Sequence, residues 1–239
     1  MNRNILLLVF VLSVFKSTSL YSKPGTGQSL IIQIQISQQD SLKENQILYN
    51  GKLWHNLSHN IKGDQFLFSN DYLQGSLTIN GKSYNNLDIS YDIYNDEIII
   101  LTNHGSNLQL NKEMVDSFSL VYNFKTYRFK NISEDSLPGI KGYINVLYKG
   151  KSALYVKYKK EIQLLAVDNR YDLFYQTYRV YFVKGRTVNQ INSKNELLKV
   201  LYEDKAQIKD FIKKNKLKIS KKEPESFIPV IRYYDSLSR

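Results

Sequence analysis

The 239-residue chain has no cysteine, only 4 prolines, 3 histidines, 2 methionines and 1 tryptophan. The missing cysteine excludes disulfide staples, cysteine nucleophiles, thiolate metal sites and the lipid-modified cysteine of a bacterial lipoprotein. Stability must therefore come from burial and backbone pairing. No G-x-S-x-G elbow and no phosphate-cradling glycine loop occurs, so the usual sequence marks of a serine hydrolase or a nucleotide enzyme are missing. What is abundant is tyrosine, with 19 residues, alongside 11 phenylalanines. Rings of this kind suit sheet surfaces, where the ring packs on its neighbours and the phenol stays wet.

The strongest fold signal lies between Gly75 and Leu101, GSLTINGKSYNNLDISYDIYNDEIIIL. Asn80-Gly81 tolerates the positive φ angles of a tight hairpin turn. After it, Leu87, Ile89, Tyr91 and Ile93 alternate with Asp88, Ser90 and Asp92, the period of a half-buried strand with one apolar and one carboxylate-bearing face. Asn95-Asp96 supplies a second turn, and Ile98 to Leu101 reads as a buried return strand. The expected fold is mainly β, α+β overall: an antiparallel meander, left open or curled into a barrel-like or sandwich form, with two or three short C-terminal helices packed on it.

Four segments follow from the chain in order. Residues 1–22 have a basic residue, Arg3, before the apolar run Ile5 to Phe15, then small polar residues, which is the pattern of a signal peptide cleaved after Ser19 or Ser22. The run is about half of the roughly 20 residues that a bilayer span needs. Residues 23–46 read as a tether, Lys23 to Gly27, then an alternating strand over Leu30 to Ile36 and a polar connection. Residues 47–186 form the β domain. In it Asn50-Gly51 is a second hairpin candidate, Gln65 to Phe68 a short strand, Lys112 to Ser117 a helical turn, and the alternation of Ser119 to Phe129 breaks near Lys125 in a turn or bulge. Tyr171 to Val183 is largely aromatic or apolar on both faces, which places it centrally or between sheet and helices. Residues 193–239 form a basic helical segment. Ser193 with Glu196 is a capping box; Leu197, Leu198 and Leu201, then Ile208, Phe211 and Ile212, then Phe227, Ile228, Ile231 and Tyr234 make apolar stripes.

The formal charge is +11. Ser193 to Arg239 carries 12 basic and 7 acidic residues, so more than half of the excess left after removal of the first 22 residues sits in the last fifth of the chain. Such a surface attracts polyanions, and outside the cytoplasm these are lipid head groups or acidic glycans rather than nucleic acid. A lysine-rich composition also simply solvates helices.

Candidate chemistry is sparse. His55 and His59 would share one face of a helix, but no glutamate lies between them. The carboxylates Asp88, Asp92, Asp96 and Glu97 are the binding candidates: in a turn-rich region they suit calcium or a general acid and base pair, and they equally suit a solvated sheet face. No catalytic residue, metal or cofactor is assigned.

With ILYNGKLW, the block containing YDIYNDE, and the tail LLKVLYEDKAQIKDFIKKNKLKISKKEPESFIPVIRYYDSL, the chain resembles a group of uncharacterised secreted proteins of the Bacteroidetes. The resemblance implies a Gram-negative cell envelope and carries no activity. The expected function is a noncatalytic exported binding or assembly module, in the periplasm or secreted and not lipid-anchored. Its expected partner is an envelope protein or glycan, with peripheral contact to an anionic membrane through the basic tail. The alternatives are a periplasmic carrier holding an apolar molecule in a β cavity and a carboxylate-dependent hydrolase.

Overall fold

Period-two apolar patterning over most of the chain produces eleven antiparallel strands in a computed structural model that describes residues 47–237. The signal-like run, the tether and the strand expected over Leu30 to Ile36 lie outside the described residues. The strands are β1 (Gly51–Leu53), β2 (Leu73–Ile79), β3 (Lys82–Asp92), β4 (Glu97–Leu101), β5 (Asn107–Leu110), β6 (Val115–Tyr122), β7 (Lys125–Ile132), β8 (Gly142–Lys149), β9 (Ser152–Val167), β10 (Tyr171–Lys184) and β11 (Thr187–Gln190). Their spatial order is β1-β5-β4-β3-β2-β6-β7-β8-β9-β10-β11. This is one sheet, neither split into a two-sheet sandwich nor closed into a barrel. It does curl, because the β3–β4 turn reaches β9, where Lys160 N–H donates to Ile93 O at 3.2 Å. Among the described residues the edge strands are β1 and β11, which are short, and short edges limit pairing with other chains.

The meander forms as the sequence predicts. Asn80 and Gly81 take φ angles of 49° and 79°, and Ile79 pairs with Lys82 across them. Leu77, Ile79, Ile89 and Tyr91 enter a core completed by Phe118, Phe129 and Tyr143. The rings of Phe118 and Phe129 stack at 4.5 Å, and Tyr91 meets both edge-on. Gly75 lets β2 approach β6, since a Cβ there would strike the Ser119 carbonyl.

Three local expectations change. Asn50-Gly51 makes no hairpin: Ile47 to Asn50 close a turn, and Gly51 opens the edge strand β1, where a Cβ would collide with the backbone of Gln109 in β5. Gln65 to Phe68 is not a strand but makes a single bridge, Phe66 to Asp92, because Phe68 turns away at φ 70°. Lys112 to Met114 is a turn, and β6 already begins at Val115. The break expected near Lys125 is there, as a hairpin turn on Asn123 and Phe124, both at positive φ.

The helices are α1 (Lys194–Val200), α2 (Lys205–Lys214) and α3 (Ile228–Leu237), the last preceded by a 3-10 turn over Pro224–Phe227. They cover one face of β9 and β10, where Leu154, Val156, Val180 and Phe182 meet Leu197, Ile208, Phe227 and Ile231. The other face buries Ala153, Tyr155, Tyr181 and Val183 against Ile132, Leu137 and Ile140, so the end of β10, Val180 to Val183, lies between two apolar layers, while Tyr171 and Tyr175 at its start are exposed. None of the helices described is long and apolar enough to cross a membrane.

The capping box is present with a shifted return. Ser193 Oγ accepts from Glu196 N–H at 3.2 Å, while Glu196 reaches the N–H of Asn192 at 2.7 Å rather than that of Ser193. Ser193→Ala is expected to cost about 1 kcal/mol, seen as a lower urea midpoint with unchanged slope. On the far side, Asp235 in α3 is buried and accepts from Ser152 N–H, from Ser152 Oγ at 2.6 Å and from Tyr148 Oη at 3.0 Å, tying α3 to the β8–β9 turn.

Candidate functional site

The acidic turn between β3 and β4 organises two different environments, one on each face of the sheet. Asp92 and Glu97 are directly opposite each other across the strands, and the loop between them closes with Asp96 at φ 60°. An aspartate tolerates that conformation better than most residues. Because the loop reverses there, Asp96 turns to the core face while Asp92 and Glu97 stay on the outer one.

The outer carboxylate of Asp92 is fully buried, which corrects the expectation of a solvated acidic face. Its cover is the loop before β2. Gln65 and Leu67 pair with Ile93 and Tyr91 where β2 stops, through Ile93 N–H to Gln65 O at 3.0 Å and Leu67 N–H to Tyr91 O at 2.9 Å. Asp92 then accepts four hydrogen bonds: from the N–H groups of Tyr94 and Asn95, both at 2.9 Å, from Asn95 Nδ2 at 2.8 Å and from Gln65 Nε2 at 3.0 Å. Burial pushes its carboxyl above the ordinary value, and the hydrogen bonds only partly offset this.

On the core face, Asp96 accepts from Tyr91 Oη at 2.6 Å, Lys112 Nζ at 2.5 Å and Lys157 Nζ at 2.8 Å. Burial acts to raise its carboxyl but is outweighed by the charge of Lys157 and the hydrogen bonds from Lys112, Lys157 and Tyr91, so it titrates below the ordinary value. Lys157 is itself lowered, first by burial: it shares its one carboxylate with Lys112, whose like charge adds to the effect. Gly142, at φ 81°, leaves room for this arrangement, since a Cβ would occupy the place of the Asp96 carboxylate.

Glu97 is different. Burial and then the charge of Asp92 raise its carboxyl, with Lys52, Lys112 and Gln109 pulling the other way. It lines a cleft of about 370 Å³ together with Trp54, His55, Gln65, Asn95 and Gln109. Trp54 is half-buried; its backbone N–H donates to Asn107 O at 2.9 Å, and its ring tilts against Phe66 at 5.7 Å. One aromatic plate, the carboxamides of Asn95 and Gln109, the cation of Lys52 and one part-exposed carboxylate line this cleft, a set that can grip a polar molecule by stacking and hydrogen bonding.

The four predicted carboxylates are therefore not one cluster. Asp88 lies further along β3, hydrogen-bonded to Gln74 on β2, and stays clear of the cleft. Asp92 supports the cleft from behind, Asp96 belongs to the opposite face, and Glu97 alone opens into it. Among the described residues no group of three or more His, Asp or Glu side chains is arranged to hold a metal. His55 and His59 sit in an exposed loop rather than on a helix, and His104 is exposed on another. Trp54, Gln65, Asn95 and Gln109 were not legible as a site; the only available signal was that Trp54 is the sole tryptophan. No family model matches this chain, and no curated protein or solved structure matches it either.

Proposed function

We propose that the protein is a noncatalytic, exported binding module of the cell envelope whose partner is a glycan. The observation that carries this is the Trp54 cleft, which sets the indole beside Asn95, Gln109, His55 and Lys52 and one carboxylate, Glu97. A sugar ring stacks its C–H face on the indole while its hydroxyls meet the amides. Export rests on the leader-like run from Ile5 to Phe15 and on the resemblance to secreted Bacteroidetes proteins.

Two features favour binding over turnover. Glycoside hydrolysis ordinarily needs two carboxyl groups flanking the bond. Here only Glu97 is open, because the oxygens of Asp92 are occupied by internal donors. A carrier would need an apolar lumen, whereas the core face of the sheet is filled by Tyr91, Phe118, Phe129 and Tyr143.

The sole tryptophan makes the test direct. A glycan array should yield a neutral oligosaccharide whose addition shifts the intrinsic fluorescence of Trp54. Trp54→Ala should weaken binding at least about tenfold, equivalent to about 1.4 kcal/mol. Cleavage of that oligosaccharide, lost in Glu97→Gln with binding retained, would establish a hydrolase instead.

A further inference from the structure

A second recess lies in the helical segment, and the charged residues that line it are all lysines. Lys209, Lys213 and Lys216 follow one face of α2 and the turn after it, facing Lys194 at the start of α1 across a cleft of about 590 Å³ floored by Leu198, Ile212 and Leu217. A neighbouring cleft of about 360 Å³ adds Lys221 and Lys222 and shares Lys194 and Asn195 with the first, so the two run into each other. No aspartate or glutamate lines either cleft. None of these six lysines is in an ion pair among the described residues. Of the nearby carboxylates, Glu196 is engaged on Asn192 and Glu225 on Lys125.

Six like charges around one recess repel each other, and among the residues lining it no carboxylate offsets them. We infer that this lysine-lined channel binds a linear acidic polysaccharide. Lysine presents a mobile point charge rather than a planar fork, which suits carboxylate or sulfate groups repeated along a chain more than one fixed phosphate. A bilayer is a poorer fit, because the charges surround a recess and its apolar residues, Leu198 and Ile212, are buried beneath it. Single-stranded nucleic acid gains affinity by stacking bases on aromatic rings, and no aromatic residue lines either cleft. The channel is distinct from the Trp54 cleft and does not depend on it.

The test uses the full chain with an unbranched polyuronate oligomer, titrated calorimetrically at about 0.15 M salt, where exposed charges more than about 8 Å apart are largely screened. Substituting Lys209, Lys213 and Lys216 together by glutamine should weaken binding at least about tenfold and shallow the salt dependence by up to about three charges. Removing the same charge at Lys130, Lys141 and Lys149, outside the channel, should change it less than about twofold. The triple Lys→Arg variant should bind nearly as the parent does, separating lost charge from lost fold, and Trp54→Ala should bind unchanged. The inference is overturned if the parent protein does not bind, if both glutamine triples lose affinity equally, or if oligo-dT or anionic phosphatidylglycerol vesicles bind more tightly than the polyuronate.

Discussion

Asp96→Asn is expected to destabilise the protein by about 2–3 kcal/mol at neutral pH, less than for removing one partner of a fully buried ion pair because both lysines keep contact with solvent. The substitution is chosen because asparagine also accepts the φ of 60° found here, so backbone strain does not enter. What is lost is the charge that satisfies Lys112 and Lys157 together. The pH dependence identifies the cause. The folded pKa of Asp96 lies below its unfolded value, so its ionised form stabilises the native state above the unfolded pKa, and that contribution disappears as pH falls through the folded one. The gap between parent and Asp96→Asn in urea midpoint should therefore be widest near neutrality and close in acid. Asp92 acts with the opposite sign: its folded pKa is raised, so its contribution is present below the unfolded pKa and lost as pH rises through the folded value. The closing gap thus belongs to Asp96. A gap that stays constant down to low pH would mean that packing, not charge, sets the loss.

Asp235→Ala should cost about 3 kcal/mol, the upper end for removing a charged acceptor from buried donors. The Ser152 N–H and hydroxyl and the Tyr148 phenol would lose their acceptor at once. Because these groups join α3 to the β8–β9 turn, the loss should be uneven. Limited proteolysis should accelerate around Asn192 and Ser193, where the helical segment leaves the sheet, before the meander is attacked. Uniform acceleration across all sites would show instead that the helices and the sheet unfold together.

Local chemistry was legible in the chain, and long-range cover was not. Asn80-Gly81 is a turn because those two residues reach positive φ cheaply, and Ser193 with Glu196 starts a helix because the two lie one turn apart. Neither fact needs a distant partner. The fate of Asp92 does: its alternation with Ile89 and Tyr91 correctly puts it on the outer face, but Gln65, 27 residues earlier, decides that this face is dry. Asp96 is the same case, with cations 16 and 61 residues away. Asn50-Gly51 misled for a related reason, since its glycine answers the backbone of Gln109 across an edge pairing rather than a hairpin turn.

The strand order also has a kinetic side. Most neighbouring strands are consecutive in sequence and close through short loops, which cost little entropy. The exceptions are β1 with β5 and β2 with β6, and the latter joins residues such as Ser76 and Ser119, 43 positions apart. Two local ribbons, β2 to β5 and β6 to β11, can therefore zip early, while their union waits on one distant encounter. Gly75, the residue that lets β2 lie against Ser119, sits at that meeting point, so a side chain there would obstruct the one pairing that makes the two ribbons a single sheet.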